Sequence, residues 1–204
     1  MGSKERSFLR LIFLDRDGVI NVDPGPGLYV TRWGEFQFLP GAIDTIRKLT
    51  EEGYEIVIIS NQAGVTKGLY TMEVLEEITR NMVREIEKLG GRIRSTHYCP
   101  HVDDDNCDCR KPRTGLLKTA TQGLTVNFKD TFFIGDGITD IKAGKDIGAK
   151  TILVLSGKTS LKDRAQWDVE PDYIAQDLRD AVERIVLKEI TKGAKTEWKI
   201  SLKS

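Results

Sequence analysis

The chain has 204 residues, 39% of them hydrophobic and 30% charged, with 31 basic against 31 acidic side chains. A chain of this length buries roughly 70% of the surface its unfolded form exposes, so a single core needs no disulfide staples. Zero net charge excludes a bulk field that would gather nucleic acid or an anionic membrane, and no apolar run approaches the ~18 residues of a membrane-spanning helix.

The start, MGSKERSFLRLIFLD, sets basic residues before an apolar segment, as a signal peptide does. Arg10 interrupts that segment, however, and two aspartates follow with no small-residue cleavage site. Phe8–Leu14 is therefore expected to be a buried strand and the protein cytoplasmic. A Pro-Gly loop at 23–27 follows, then a helix over Ala42–Glu51, a strand over Glu55–Ser60 and a helix over Met72–Leu89. Ser95–Tyr98, Thr131–Ile134 and Thr151–Leu155 read as further strands, with helices at Leu116–Gln122 and Thr139–Ile147 between them. Asp177–Ile190 closes the pattern as a helix with Leu178, Val182, Ile185, Val186 and Ile190 on one face. This alternation predicts an α/β fold: a Rossmann-like three-layer sandwich with a mainly parallel central sheet and helices on both faces. Residues 1–190 are expected to form one domain, without an insertion long enough for a large cap domain. The basic, polar segment 191–204 is expected to be a frayed tail.

In an open parallel sheet the ligand site lies outside the carboxyl ends of the strands, so polar residues just after each strand are the candidates. The first strand runs into Asp15-Arg-Asp17-Gly, the second into Ser60-Asn61-Gln62-Ala-Gly64, and the fourth into Gly135-Asp136-Gly137-Ile-Thr-Asp140. Asp136 and Asp140 share a face if a helix starts there, and carboxylates are what Mg²⁺ prefers. Ser60 and the amides after it can donate to an anion, and Gly64 permits close backbone approach. Each run taken alone also fits a charged loop or a helix cap. Together with Lys111 they supply a nucleophile, an anion cradle, a cation and a metal site, the set that phosphoryl transfer requires.

Cys99, His101, Cys107 and Cys109 lie within eleven positions as a Cys-x-His and a Cys-x-Cys pair with five residues between them. Three thiolates and an imidazole complete a tetrahedral zinc shell, closed to water and so structural. A small zinc-binding loop at 99–109 is therefore expected, fixing Arg110 and Lys111 just beyond it. Asp103-Asp-Asp105 within the loop opposes a nucleic-acid zinc finger. His97, in or beside the third strand, is expected to have no role.

The Asp15-Arg-Asp17-Gly, Ser60, Lys111 and Gly135-Asp136 to Asp140 series resembles the four motifs of the haloacid dehalogenase superfamily, in order. Within it, Asp15 to Asn21, Ser60 to Gln62 and Cys107 to Pro112 resemble the heptose bisphosphate and histidinol-phosphate phosphatase groups. The resemblance implies a Mg²⁺-dependent phosphatase in which Asp15 is the nucleophile and Asp17 the general acid and base. Asp15, the Asp17 backbone carbonyl and Asp136 would hold Mg²⁺, with Asp140 supporting it. Ser60 and Lys111 would hold the phosphoryl oxygens, and Asn61, Gln62, Arg110 and Asp23 would contact substrate. A sugar bisphosphate is the favoured substrate from the general run of sequence, and histidinol phosphate the alternative from the short zinc loop. A phosphomutase would need a cap, and a catalytically silent zinc-stabilised binding module would need none of these acids. A monomer acting on a small phosphorylated molecule, with no nucleic-acid or membrane partner, is expected.

Overall fold

The computed structural model describes residues 8–189. Its six strands are β1 (Leu11–Leu14), β2 (Glu55–Asn61), β3 (Ser95–Cys99), β4 (Phe132–Gly135), β5 (Lys150–Val154) and β6 (Tyr173–Ala175). They form one parallel sheet in the order β3-β2-β1-β4-β5-β6. From the centre the chain builds outward through β2 and β3 on one side, then restarts at β4 and builds outward the other way. The reversal between β1 and β4 opens a crevice at their carboxyl ends.

The strands are apolar on both faces because both faces are covered. Ile12, Leu14, Ile56, Ile58, Ile134 and Ile152 pack with residues of α1 (Ala42–Glu51), α2 (Met72–Lys88) and α5 (Leu178–Ala181), including Ile46, Met82 and Leu178. Leu11, Phe13, Val57, Ile59 and Phe133 turn to the opposite face, against Leu116, Leu117 and Ala120 of α3 (Gly115–Thr121) and Ala143 of α4 (Ile138–Asp146). A one-residue slip in register would exchange these two sets.

Most element ends fall within one residue of the sequence expectation, and three features depart further. β1 begins at Leu11 rather than Phe8, because Leu9 leaves the sheet to bridge Val126 and Phe8 is exposed. β6 had no sequence signal: three residues after a proline are too few for a periodicity to emerge. The last helix starts where Asp177 caps it, its Oδ1 accepting the Asp180 amide at 2.8 Å. It then unwinds into a π-turn over Val182–Val186. Leu178, Val182, Ile185 and Val186 are buried as the spacing predicted; Ile190 and the 191–204 tail lie outside the described residues. Among those described, no helix is long and apolar enough to cross a membrane.

No cap domain is inserted among the described residues. The longest elaboration over the strand ends is the segment between β1 and α1. Trp33 stacks on Phe36 (5.1 Å between centroids) and Phe36 meets Phe38 edge-on (5.0 Å), anchoring that segment to the core. The Pro-Gly stretch before it is left at the rim, where Leu28 is exposed.

Candidate active site

Asp15, at the end of β1, and Asp136 and Asp140, after β4, face one another across the β1–β4 crevice. One carboxylate oxygen from each lies within 4.8 Å of the others, and all three residues are buried. Lys111 answers this negative charge: its Nζ is 3.1 Å from Asp15 Oδ2 and 2.5 Å from Asp140 Oδ1, and it donates to the Ile59 carbonyl at 2.8 Å. Burial alone would drive the proton off this ammonium, but Asp140 and Asp15 outweigh it and hold the Lys111 pKa above its ordinary value. Asp136 has no ammonium in ion-pair contact among the described residues, and the Lys158 charge nearby offsets its burial only in part. Its Oδ2 accepts the Lys158 amide at 2.8 Å, while its buried Oδ1 has no partner. Burial, and then the neighbouring Asp15, push its carboxyl up to about 7. Crowded carboxylates with an orphaned oxygen fit a hard divalent cation such as Mg²⁺. Asp140 is less free: its Oδ2 accepts the Gly137 amide at 3.0 Å while its Oδ1 faces Lys111.

Asp17 is held in a different way. Arg16, fully buried beside it, donates from Nε and Nη2 to Oδ1 (3.2 and 3.0 Å) and from Nη2 to Oδ2 (3.0 Å). Asn21 Nδ2 donates to Oδ1 at 2.8 Å and Gln62 Nε2 to Oδ2 at 2.8 Å. Burial would favour the neutral acid, but Arg16 and these amides reverse that and pull the Asp17 pKa below its ordinary value.

Lys111 reaches the crevice from the segment after β3, which is fastened at two points. Cys99, His101, Cys107 and Cys109 converge, with Cys109 Sγ 3.1 Å from Cys99 Sγ, 3.4 Å from Cys107 Sγ and 3.2 Å from His101 Nδ1. Cys99 Sγ lies 3.6 Å from both Cys107 Sγ and His101 Nδ1. Donors on a tetrahedron with bonds of about 2.3 Å sit about 3.8 Å apart, so this cage needs only slight expansion around a metal ion. The second fastening is Asn61, whose Oδ1 accepts the Lys111 amide and whose Nδ2 donates to the Lys111 carbonyl, both at 3.0 Å.

A cleft of about 580 Å³ opens beside these groups, lined by Asp17, Asp23, Asn61, Arg110, Lys158 and the Pro-Gly loop. Of the residues expected to contact substrate, Asp23, Asn61 and Arg110 line it. Arg110 is steadied by Asp103 Oδ1 at 2.5 Å and the His101 carbonyl at 3.1 Å. Gln62 is a correction: it is fully buried and its amide is saturated by protein groups, so it has nothing left for substrate. Gly64 is another. The space a side chain would take there is filled by Tyr70, whose Cε1 lies 2.3 Å from where a Cβ would be, rather than left for an anion. Ser60 is buried at the end of β2 and accepts from Gln62 Nε2 at 3.2 Å. Sequence reasoning gave no role to Lys158, although the Gly157-Lys158 run just beyond β5 resembles the heptose enzymes; the lysine lines the cleft while its amide caps Asp136. It also missed Arg16, Asn21 and Tyr70, whose burial no local pattern announces.

Known proteins with likeness to this chain carry consistent names. The HAD-hydrolase-like family profile matches residues 108–181. The D-glycero-β-D-manno-heptose-1,7-bisphosphate 7-phosphatase of Pseudomonas putida is 34% identical over 150 residues, covering 74% of this chain and 85% of that protein. Its namesake in Pasteurella multocida is 32% identical over 194 residues, covering 92% and 99%. A crystal structure of D,D-heptose 1,7-bisphosphate phosphatase from B. bronchiseptica, in complex with magnesium and phosphate, superposes with a TM-score of 0.81 at 31% identity over 88% of this chain and 99% of that one. Taken with the carboxylate and lysine cluster at the strand ends, this breadth of likeness makes the chain a phosphoric monoester hydrolase that belongs to the haloacid dehalogenase-like hydrolases, in the heptose bisphosphate phosphatase group.

Proposed function

We propose that the protein removes the 7-phosphate from D-glycero-D-manno-heptose 1,7-bisphosphate, leaving the 1-phosphate, through a phosphoryl group carried on Asp15. The observation that carries the chemistry is the buried set of Asp15, Asp136 and Asp140 around Lys111. The substrate rests on the names of the relatives and on a cleft in which Arg110 and Lys158 offer positive charge to a second phosphate.

Asp15 attacks phosphorus and the bond to the sugar oxygen breaks, with Asp17 giving its proton to the departing alkoxide. Water then attacks the acyl phosphate, Asp17 takes the proton from it, and inorganic phosphate leaves with Asp15 restored. The Arg16 network favours the deprotonated Asp17 that this second step needs. Ser60 and Lys111 hold the transferring oxygens. Asp15, the Asp17 backbone carbonyl and Asp136 would hold Mg²⁺, with Asp140 supporting it from behind; the ion supplies charge neutralisation between nucleophile and phosphate. Cys99, His101, Cys107 and Cys109 would hold Zn²⁺, which would serve only to keep Arg110 and Lys111 in place. A cytoplasmic monomer with no nucleic-acid or membrane partner completes the proposal.

The test is kcat/KM with Mg²⁺ for the heptose bisphosphate and for histidinol phosphate, with Asp15→Asn as the blank. A hundredfold preference for the bisphosphate, about 2.7 kcal/mol of transition-state discrimination, is expected. A preference for histidinol phosphate would overturn the substrate. Activity surviving in Asp15→Asn would overturn the mechanism.

A further inference from the structure

Gln62 follows the strand that carries Ser60 and points away from the cleft, fully buried, with four hydrogen bonds. Its Oε1 accepts from the Tyr70 hydroxyl at 2.7 Å and from Arg16 Nη2 at 3.0 Å, and its Nε2 donates to Asp17 Oδ2 at 2.8 Å and Ser60 Oγ at 3.2 Å. The guanidinium has no acceptor capacity and the carboxylate no donor. Turning the amide over would set an N–H₂ against Arg16 and an oxygen against the Asp17 carboxylate, two repulsions in a site that water does not reach. Only one orientation is therefore open, and it aims Nε2 at Asp17.

Tyr70 is what fixes the far end. It is buried, and it gets in because Gly64 has no side chain in its way. Its ring also meets that of Tyr29 at 6.2 Å, and Tyr29, two residues beyond the Pro-Gly loop, borders the cleft. A run of contacts thus leads from half-buried Tyr29 at the cleft wall, through buried Tyr70 and Gln62, to the carboxylate.

We propose that Gln62 and Tyr70 are positioning residues for Asp17: Tyr70 sets the Gln62 amide, and the amide aims the Asp17 carboxyl at the bond being broken. This rests on the reading of Asp17 as the acid–base group. Neither residue touches substrate, so their contribution is visible only where Asp17 is needed.

The leaving group supplies that condition. A sugar alkoxide cannot depart without a proton, whereas p-nitrophenolate can. The ratio kcat/KM reports the first chemical step, in which the leaving group departs. Gln62→Met and Tyr70→Phe are compared with the unaltered enzyme on the best sugar phosphate substrate and on p-nitrophenyl phosphate, with Asp17→Asn as the reference. Correctly placed acids are worth about 10²–10⁴-fold, so a mis-aimed one is expected to lose roughly tenfold or more on the sugar phosphate. The loss on p-nitrophenyl phosphate is expected to stay within about threefold, and that residual activity also shows that the variants fold. An equal fall on both substrates, or no fall, in Gln62→Met and Tyr70→Phe while Asp17→Asn retains the split would overturn the positioning role alone. A missing split in Asp17→Asn itself would overturn the acid–base reading of Asp17, and this proposal with it.

Discussion

Replacing Lys111 by Met keeps the length of the side chain and removes its charge. The ammonium stands 3.1 Å from Asp15 and 2.5 Å from Asp140, with every partner buried. Removing one member of a buried ion pair costs about 3–5 kcal/mol, because the remaining charge has lost its compensation. Two terms pull toward the low end: the variant no longer buries an ammonium, and Asp136 and Asp140 already hold protons more tightly than exposed carboxylates do. A loss of about 3 kcal/mol lowers the melting temperature of a domain this size by about 6–12 °C. The assay is thermal unfolding with a chelator and again with saturating Mg²⁺. Mg²⁺ neutralises the same carboxylates, so it is expected to raise the Tm of Lys111→Met more than that of the unaltered protein, while phosphatase activity stays abolished. A Tm within 2 °C of the original in chelator, or an equal Mg²⁺ gain in both proteins, would refute the idea that Lys111 and the cation share one charge cluster.

Other outcomes follow from the same geometry. In chelator, stability should fall as pH rises from about 4 to about 7, with a slope of up to about 1.4 kcal/mol per unit, because Asp136, at about 7 folded, keeps a proton there that an ordinary unfolded carboxyl has released. Saturating Mg²⁺ should flatten that slope in the same denaturation series. Gly157→Ala brings a methyl to 2.0 Å from Asp136 Oδ2, so isothermal titration should show Mg²⁺ bound at least ~10-fold more weakly, since small displacements of a ligand or its support cost about that much. Stripping the thiol-bound metal, with Mg²⁺ restored afterwards, should lower kcat/KM by ~10-fold or more because Lys111 loses one of its two fastenings; mass spectrometry of the native protein should find one zinc per chain.

Much of this site was visible in the sequence because strands end abruptly. Asp15, Asp17 and Asp136 each follow an apolar run whose length and residue types announce a buried strand, and the parallel order then gathers their ends at one edge. The cage was visible because its three cysteines and its histidine fall within a single short segment. What remained hidden depends on direction rather than position. Nothing in Ser60-Asn61-Gln62 says that Asn61 would hold the Lys111 backbone while the next side chain turns inward to Asp17. The open space at Gly64 was legible, but its occupant, a tyrosine six residues further on, was not. β6 escaped because so short an edge strand is defined by its neighbour, pairing Tyr173 with Ile152, rather than by its own residues.

The clasp of Asn61 on Lys111 separates two things that a loop normally ties together. The lysine's place is set from β2, by two hydrogen bonds to its own backbone. The segment between His101 and Cys107 is exposed at its tip and closed at its base by the cage. Residues can be inserted or removed at that tip without the change reaching Lys111, because the length is absorbed between two anchors. What a change at the tip does reach is Arg110, which Asp103 holds at the cleft wall, so the loop governs the guanidinium while the strand governs the ammonium.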